Sequence, residues 1–567
     1  MANTYTRVQF SPYAIENRQH IDTITDIGNH QSFVVLDDLR TGNVISQSYA
    51  TYEPDFWLLD GTYKFLPDEN AHSGYVSTTM STADGIYGGD DGNIPRVDVT
   101  FDAPITVDGI TLRFSPHSGD YPDIVQVSYY IDSVHTGNIS YYPDATEYYI
   151  DFYEENVTRF VIYLTQTNRA YRYGRLKGFD FGSVLTFEGE SIKQANVIEE
   201  TDPISIELRG NAFDVELYSA DAEFSMLNPG GSYALLEQHQ PLWVYESIDN
   251  VLTFIGQYFL DSWRNTSDKM IEFKCVDYVI LMDQIPYNGG YWASPGIDVE
   301  DLLLDIMTDA GIPYELDVTL NGTKIIGWLP AGSVREALQQ IAFTVGAAVD
   351  CSRSWVVQIY ASRLASVETA TGTITKAQKS QDQTLELLPI CAGVEVTTHN
   401  IKASTESIEL HDGSLTVGTH ELFFSQPAHT LSITGATITE SDVNYAIVEV
   451  AIEGDVVLSG KSYIDFKTIY RIDNPSVTST IRPTLPFTEA TLVRRGNVAA
   501  VAQRIYDYKQ QRYEMRFKMY APLVTPGQVV TVDTLYNKQI TGVIESMETD
   551  LAAGMVSKLK IVGVEAV

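Results

Sequence analysis

Short runs of alternating hydrophobic and polar residues dominate the first third of the chain. Residues 96–101 (RVDVTF) and 110–114 (ITLRF) alternate with a period of two, on either side of a predicted turn at Val107-Asp108-Gly109. Further runs of this kind are 124–131, 148–152 and 158–164. No segment of this region has the 3.6-residue spacing of an amphipathic helix. Short strands that recur after roughly ten residues are typical of a β-sandwich, which is the fold we expect here.

The region 186–290 stays rich in strand patterns. Residues 204–208 and 213–217 both alternate, and we expect them to pair across Arg209-Gly210-Asn211. Asn228-Pro229-Gly230-Gly231 predicts a turn. Further strands are predicted at 242–245, 254–260 and 270–275.

Helical patterns first occur between residues 291 and 365. The segment 298–310 has an apolar stripe and ends at Gly311-Ile312-Pro313, a glycine followed by a proline. Ser333 and Glu336 have the spacing of a capping box, in which the hydroxyl and the carboxylate bind free amides at a helix start. The second apolar stripe ends at Gly346, and a strand is predicted at 355–360. This region is therefore predicted to be a small α+β module.

The C-terminal third returns to strand patterns. Residues 366–383 are rich in Ser, Thr and Gln and are the most linker-like segment, although Thr373-Ile374-Thr375 could be a short strand. A hairpin is predicted between 447–452 and 456–458, and a helix after an N-cap at Asn497. Later strands are predicted at 512–519, 529–532, 540–546 and 558–562.

One weak internal similarity links distant parts of the chain. Strand, turn and strand follow one another at 256–262 and 270–273, and again at 542–546 and 557–561. Two copies of one β module would explain this similarity. Coincidence among β-hairpins would explain it equally well.

The composition narrows the classes of function. A length of 567 residues is typical of three to five domains at about 150 residues each. The net charge is −38, from 37 basic and 75 acidic residues, which disfavours binding to nucleic acid or to an anionic membrane. The three cysteines, Cys275, Cys351 and Cys391, are far apart, so we expect no disulfide framework and no Cys-x-x-Cys metal site. Neither a secretory signal nor an apolar run long enough to span a membrane is apparent, so we expect synthesis in a cytoplasm.

Two glycine-rich segments invite functional interpretations. Gly454 and Gly460-Lys461-Ser462 resemble a P-loop, but five residues separate the glycines where the motif has four, and a strand pattern follows. We therefore predict a hairpin there. The acidic loop 84–93 could hold Ca²⁺, but it lacks EF-hand spacing and a closing glutamate, which favours a surface turn and leaves a structural Ca²⁺ as the alternative.

No enzyme site is predicted. His411, His420 and His429 are nine residues apart, which is unlike a zinc site. Cys391 and His399 bracket a strand pattern, which is weak support for a thiol nucleophile with a histidine base. Acidic residues are too numerous for spacing to select a catalytic pair. We predict no catalytic, cofactor-binding or metal-binding residues and no cofactor.

The N-terminal region holds about half of the 35 tyrosines. The clusters are Tyr141-Tyr142, Tyr148-Tyr149, Tyr153, and the pair Tyr171 and Tyr173. Tyrosine offers an apolar ring with a hydrogen-bonding rim, so these clusters could stack on sugars. Tyrosine is also a favourable strand residue with one end in water, which favours a structural or interface role.

Several short motifs, taken in their order, carry a family resemblance. They are LNPGGSY (227–233), QPLWVY (240–245), GQYFLDSW (256–263), DYVILMD (277–283), GVEV (393–396), GATI (435–438), NYA (444–446), LSGKSY (458–463) and PGQVV (526–530). In this order they resemble baseplate-hub or tail-tip proteins of phages and prophages of Gram-positive bacteria. Upstream, YEPDFWLLDG (52–61) resembles the galactose-binding-like sandwich that such proteins often carry.

The resemblance implies a mainly β, multidomain architecture. It implies a galactose-binding-like β-sandwich at 1–185, a tube-like β-barrel at 186–290, a small α+β domain at 291–365, and a second tube-like barrel at 366–567 with a β-rich insertion around 405–485. Hub proteins of this family are homotrimers, in which two barrels per chain present a pseudo-sixfold ring to the tail tube. The acidic charge would then allow DNA to pass through a lumen without specific binding.

The resemblance also implies partners and location. Expected partners are the tail tube, distal tail proteins, the tape measure protein, receptor-binding proteins and, through the N-terminal domain, a cell-surface glycan. We expect a structural, non-enzymatic virion protein at the tail tip or baseplate, made in the host bacterial cytoplasm. Many relatives continue into a peptidase or a fibre, whereas this sequence stops at Val567, so no lytic role is expected.

Two other classes of function stay open at this point. One is a carbohydrate-binding surface protein or an accessory module of a polysaccharide-active enzyme. The other is an acidic hydrolase with scattered carboxylates. The sequence leaves open the host, the type of tail, and whether the particle is a phage or is derived from one.

Overall fold

The computed structural model describes most of the chain. The described residues are 4–10, 20–27, 36, 39, 48–49, 51, 53–54, 63–64, 74–87, 94–114, 119–182, 185–220, 222, 224–228, 233, 236–248, 251–479, 484–520, 524–534 and 538–566. They are mainly β and form several sheets, as predicted. The chain divides into two compact units, Met1–Gln194 with Val215–Cys275, and Ala195–Asp214 with Val276–Val567.

Among the described residues, the elements of the first unit are mainly strands, with a short 3₁₀ helix at Gly189–Ser191. Its strands are β1 (Thr4–Phe10), β2 (Ile21–Ile27), β3 (Ser48–Tyr49), β4 (Tyr63–Lys64), β5 (Tyr75–Met80), β6 (Arg96–Arg113), β7 (Pro122–Ile131), β8 (Val134–Tyr141), β9 (Glu147–Thr167), β10 (Tyr173–Leu176), β11 (Gly178–Phe181), β12 (Leu185–Glu188), β15 (Pro241–Ile248), β16 (Val251–Ser267) and β17 (Met270–Val276). The division between the units falls within β13 (Ile192–Glu200) and β14 (Ala212–Tyr218).

Two larger sheets organise the first unit. One has the strand order β11-β6-β9-β7-β8, with β2 also paired to β6. The other has the order β12-β1-β15-β16-β17-β14, so the N-terminal strand β1 pairs with β15, more than 200 residues later in the chain. Val97 and Val99 point into the core, whereas Asp98 does not. This arrangement explains the alternating pattern of residues 96–101. Phe160, Phe179 and Phe181 pack edge to face in that core.

The predicted turn at Val107-Asp108-Gly109 is wrong. These residues lie inside β6, which continues to Arg113. The pairing with β9 shifts register between Asp108 and Ile110, and Gly109 has φ of +83°. Glycine adopts this left-handed conformation without strain, so the segment forms a β-bulge that bends one strand and does not reverse it.

The second unit combines a sheet, a helical module and an inserted sandwich. Its helices are α1 (Tyr278–Leu281), α2 (Val299–Asp309), α3 (Val334–Val345) and α4 (Val498–Lys509), with short 3₁₀ helices at Met282–Gln284 and Val318–Leu320. Its strands are β18 (Pro286–Tyr287), β19 (Gly290–Asp298), β20 (Tyr314–Leu316), β21 (Lys324–Leu329), β22 (Gly332–Ser333), β23 (Ala347–Asp350), β24 (Val357–Ala361), β25 (Gly372–Ile374), β26 (Lys379–Leu387), β27 (Gly393–Thr398), β28 (Ile401–Leu415), β29 (Gly418–Phe423), β30 (Ala428–Thr434), β31 (Thr437–Ser441), β32 (Tyr445–Val450), β33 (Gly454–Asp465), β34 (Thr468–Asp473), β35 (Leu485–Phe487), β36 (Tyr513–Tyr520), β37 (Val529–Asp533), β38 (Gln539–Asp550) and β39 (Val556–Glu565).

The helices of the α+β module follow the sequence pattern closely. The apolar stripe of α2 is buried, and α3 begins with the predicted capping box, because Ser333 accepts from the Glu336 amide and Glu336 accepts from the Ser333 amide. Gly346 ends α3 with φ of +84°. Both helices pack on one apolar core with the strands β23 and β24.

The predicted strand at 204–208 is wrong. This segment is a turn in which the Asp202 carboxylate accepts backbone amides of Ile204, Ile206 and Glu207. A carboxylate that binds nearby amides in this way competes with strand pairing. The Ser205 backbone has φ of +51°, which also interrupts an extended strand.

The predicted hairpin between 447–452 and 456–458 is also wrong. Both segments contain strands, β32 and β33, but they belong to different sheets with the orders β29-β32-β31 and β28-β33-β30. Val448 and Leu458 are both buried in the apolar core of this insertion. Residues 401–465 therefore form a small sandwich, in which the short connection carries the chain from one sheet to the other.

The linker-like segment 366–383 contains two strands. Thr373 and Ile374 lie in β25, which pairs in parallel with β37, and β26 starts at Lys379. The C-terminal sheet of this unit has the order β13-β38-β39-β36-β26, with β37 also paired to β38.

Candidate assembly surfaces

The same arrangement of four strands occurs in each unit. In the first unit β14, β15, β16 and β17 follow one another in the chain and lie in the order β15-β16-β17-β14. In the second unit β36, β37, β38 and β39 lie in the order β37-β38-β39-β36. In both, the first strand of the four pairs with the last. The weak similarity between residues 256–273 and 542–561 therefore marks the second hairpin of a repeated four-strand module.

The C-terminal sheet ends in an edge strand that carries two exposed leucines. β26 pairs with β36 on one side, and no strand pairs with its other side in the described part of the chain. Leu385 and Leu387 on this strand are 54% and 56% exposed, and Ile390 just beyond it is 43% exposed. An edge with free backbone groups and exposed leucines is a template for pairing with another chain.

Sequence reasoning missed this edge. The alternation of Leu385 and Leu387 predicts a strand, but it does not tell an edge strand from a central one. An edge strand differs from a central one in how many partner strands it has, and these partners can lie more than 100 residues away in the chain. Leu385, for example, lies opposite Met515.

The tyrosine clusters of the first unit are exposed or half-buried. Tyr142, Tyr149, Tyr153 and Tyr171 are exposed, whereas Tyr141, Tyr148 and Tyr173 are half-buried. Tyr153 donates to Glu155 at 2.9 Å. The exposed rings offer apolar faces to solvent, which suits either a saccharide or a protein partner.

The P-loop-like residues form neither a phosphate loop nor the hairpin that is predicted there. Gly454, Gly460 and Lys461 all lie along the single strand β33, whose amides pair with β28 and β30. Residues 88–93 of the acidic loop lie outside the described residues. Within the described residues, no group of three or more His, Cys, Asp or Glu side chains could hold a metal ion.

The histidine and cysteine candidates are not brought together either. His411, His420 and His429 lie on three different strands. His399 uses both ring nitrogens, one with Asp465 at 2.7 Å and the other with the Thr488 carbonyl at 2.9 Å. Cys391 contacts the Gly393 carbonyl instead of the histidine. This arrangement provides no base for a thiol nucleophile.

Two acids of the second unit are buried against amides and hydroxyls. Asp277 accepts the amides of Asn211 at 2.7 Å and Ile280 at 3.1 Å, and Asp350 accepts the amide and hydroxyl of Ser352. Burial raises the pKa of Asp277 to about 7 and that of Asp350 to about 6. No cation pairs with either carboxylate among the residues described. The two carboxylates hold loops and the first turn of α1 in place by hydrogen bonds, so their role is structural.

Three buried acids of the first unit are paired with arginines. Asp180 pairs with Arg113, Glu53 with Arg175, and Asp120 with Arg172. All six side chains are less than 10% exposed. Such pairs lose much stability when one partner is removed, because a charge is then left buried alone.

Comparison with known proteins gives matches only among solved structures. No protein-family model and no curated protein matches the chain. The 43 kDa tail protein of prophage MuSo2 from Shewanella oneidensis matches with 9% identity and a TM-score of 0.36, over 66% of this chain and 94% of that chain. The tail protein from Neisseria meningitidis MC58 matches with 12% identity and a TM-score of 0.38, over 67% and 94%. The prophage tail protein gp18 from Listeria monocytogenes EGD-e matches with 8% identity and a TM-score of 0.37, over 67% and 91%. These values are too low to assign a function to this chain.

The described helices are all too short or too polar to cross a membrane.

Proposed function

We propose that this chain is a structural protein of a phage tail tip or baseplate hub, or of a particle derived from a phage tail. It works by assembling with two further copies of itself around an axis and with neighbouring tail proteins, and it catalyses no reaction. In this proposal the domains at 1–185, 186–290, 291–365 and 366–567 correspond to the adaptor sandwich, the first ring module, a spacer and the second ring module.

The repeated four-strand module is the observation that carries this proposal. Two similar modules per chain let three chains present six similar surfaces, which suits a six-fold tube. A repeat has no such value for an enzyme with one site or for a lone binding module. The family resemblance of the short motifs points to the same use.

The surface of the second unit supports assembly as the mode of action. The edge strand β26 exposes Leu385 and Leu387, and a protein acting alone normally covers such side chains at a sheet edge. A second chain that paired with this edge would bury both leucines. The net charge of −38 suits a lumen through which DNA passes, because like charge keeps DNA from binding.

Negative-stain images of the purified full-length protein, viewed down the assembly axis, test the proposal. We expect a three-fold ring with six similar lobes. A population of single chains, together with tails that lack three copies of the protein at their tips, would refute the hub.

Glycan binding by the first unit is a second candidate function. The observation that favours it is the set of exposed tyrosines, of which Tyr142 and Tyr153 are 67% and 60% exposed. Binding of the full-length protein to an array of bacterial polysaccharides measures it. Tyr142→Ala with Tyr153→Ala should abolish binding, while Tyr470→Ala in the second unit should not. Equal binding by all three proteins would place the contact elsewhere.

A further inference from the structure

Tyrosines and acids alternate on the outward face of β9 in the first unit. Every second side chain from residue 149 to residue 155 is exposed, and these side chains are Tyr149, Asp151, Tyr153 and Glu155. The alternate residues Ile150 and Phe152 are buried in the core. Successive exposed side chains are about 7 Å apart along the strand. We call the four exposed residues the tyrosine–acid strip.

The ring of Tyr149 is held against the neighbouring strand β6. A Cβ on Gly109 would lie 2.3 Å from the Tyr149 hydroxyl oxygen, so the ring occupies the space that a side chain at residue 109 would fill. The residue is nevertheless 43% exposed. An aromatic ring that is held on a sheet and open to solvent is a preformed stacking surface, because it loses little conformational freedom when a ligand binds.

The carboxylates of the strip lie beside aromatic rings. The Tyr153 hydroxyl donates to the Glu155 carboxylate at 2.9 Å, which holds a ring and a negative charge side by side. Asp151 acts on a third tyrosine, because burial and then the charge of Asp151 raise the pKa of Tyr141 to about 12. Both acids of the strip can therefore act together with a ring on the same ligand group.

The negative charge of the strip is not compensated nearby. Residues 114–158 contain eight acids and no lysine or arginine. The next cation along β9, Arg159, is already paired with Asp98. Among the described residues, no cation pairs with Asp151 or Glu155. A ligand with positive charge would therefore be attracted to this surface.

The composition of the strip favours a glycan over a folded protein partner. The core of a protein–protein interface is depleted of charged residues, whereas every second member of the strip is an acid. Tyrosine rings offer an apolar face on which a sugar ring can stack. An ammonium group is attracted both to the face of such a ring and to a carboxylate.

We infer that the tyrosine–acid strip binds a glycan whose sugars carry free amino groups. The rings of Tyr149 and Tyr153 stack on the sugars, and Asp151 and Glu155 pair with the protonated amines. The strip thereby gives the glycan-binding candidate, on which this inference rests, a specific class of sugar.

Binding of two matched oligomers to the full-length protein tests the inference. Short oligomers of glucosamine carry free amines, and oligomers of N-acetylglucosamine have the same rings with the amines blocked. Fluorescence anisotropy of labelled oligomers measures the dissociation constants. We expect the glucosamine oligomer to bind about tenfold more tightly than the acetylated one, because its ammonium groups gain ion pairs and ring contacts. Added salt should reduce this difference.

Variants of similar shape locate the contact. Asp151→Asn with Glu155→Gln removes both charges of the strip and should weaken binding of the glucosamine oligomer about tenfold, while binding of the acetylated oligomer stays unchanged. Glu421→Gln with Glu449→Gln makes the same change of charge at two exposed acids of the second unit and should alter neither. Tyr153→Ala should weaken binding of both oligomers, because it removes a stacking surface.

The failure of the inference can be told from the failure of the glycan-binding candidate. Equal binding of the two oligomers, or full binding of the glucosamine oligomer after loss of both acids, would contradict the inference while glycan binding stands. A lysine-rich peptide that binds more tightly than the glucosamine oligomer, and that the double acid variant no longer binds, would overturn it in favour of a basic protein partner. If neither oligomer binds, the inference and the glycan-binding candidate both fail, whereas the images of assembled rings test the hub separately.

Discussion

The two units share a four-strand module, and each of them buries acids in two ways. In the first unit Asp180 lies against an arginine, whereas Glu246 accepts a hydroxyl and burial raises its pKa to about 7. In the second unit Glu199 lies against an arginine, whereas Asp277 lies against backbone amides and burial raises its pKa to about 7. The strand order alone does not fix how a polar group is buried. In both units the arginine pairs should therefore be sensitive to loss of the cation, and the carboxyls without a cation should be sensitive to pH.

The largest effect is expected from Arg113→Ala in the first unit. This change leaves the Asp180 carboxylate buried without its cation, which costs about 3–5 kcal/mol. Hydrogen exchange of peptides from β6 and β11 measures the loss in that unit. Arg264→Ala is the control, because its pair with Glu272 is exposed on the arginine side, and should cost about 0–1 kcal/mol. Equal effects of the two changes would show that the buried pair has no special role.

The next effect tests the repeated module itself. In the second unit Gly563 lies opposite Gly542, and a Cβ on Gly563 would lie 1.9 Å from the Thr541 carbonyl oxygen. Because the neighbour is backbone, β38 and β39 would have to part, and Gly563→Ala should cost about 1–3 kcal/mol.

The corresponding module of the first unit provides the comparison. A Cβ on Gly256 of β16 would lie 2.7 Å from the ring of Tyr258, which is a longer approach than the one at Gly563 and to a side chain instead of the backbone, so Gly256→Ala should cost less. Gly372→Ala, where no atom lies within 4 Å, is the control. Urea denaturation of the three variants measures the difference, and a Gly256 variant that is the least stable would contradict it.

A smaller effect is expected at the start of α3. Ser333→Ala removes the hydroxyl that accepts the Glu336 amide at 3.2 Å and should lower the free energy of unfolding by about 1 kcal/mol. Ser333→Asp keeps an acceptor and should retain most of the stability. Hydrogen exchange over residues 334–345 measures both variants, and equal exchange in the two would mean that the cap contributes nothing.

The last effect concerns the pH dependence of the second unit. The pKa of Asp277 is raised to about 7 in the folded chain, against about 3.9 when unfolded, so the folded chain holds this proton more tightly. The stabilisation that the protonated carboxyl gives the fold is complete below the pKa of the unfolded chain. It is lost as the pH rises through the pKa of the folded chain. Asp277→Asn does not titrate. The amount by which the melting temperature of the wild type exceeds that of the variant should therefore decrease as the pH rises from about 4 to about 7. A difference that is flat or rises with pH would contradict the raised pKa.

The sequence pattern correctly predicted those elements that are stabilised by residues close to one another in the chain. The stripe of α2 and the capping box of α3 depend on residues three and four positions apart, so the sequence alone located them. The bulge at Gly109 and the turn held by Asp202 were missed because each depends on one residue that overrides an alternating pattern.

Longer-range features could not be read from periodicity. β32 and β33 are four residues apart in the chain, yet they belong to different sheets, because each pairs with strands more distant in the sequence. Arg516 and Lys560 are a similar case, since they come together only through the register of β36 and β39. Charge runs in a sequence do not identify such neighbours, because alternate residues on a strand face opposite sides.

The mass of the purified protein in solution tests self-assembly most directly. Native mass spectrometry should give a particle of three times the 63.1 kDa chain mass. A particle of one chain mass at every concentration and salt, with no larger species, would contradict the account.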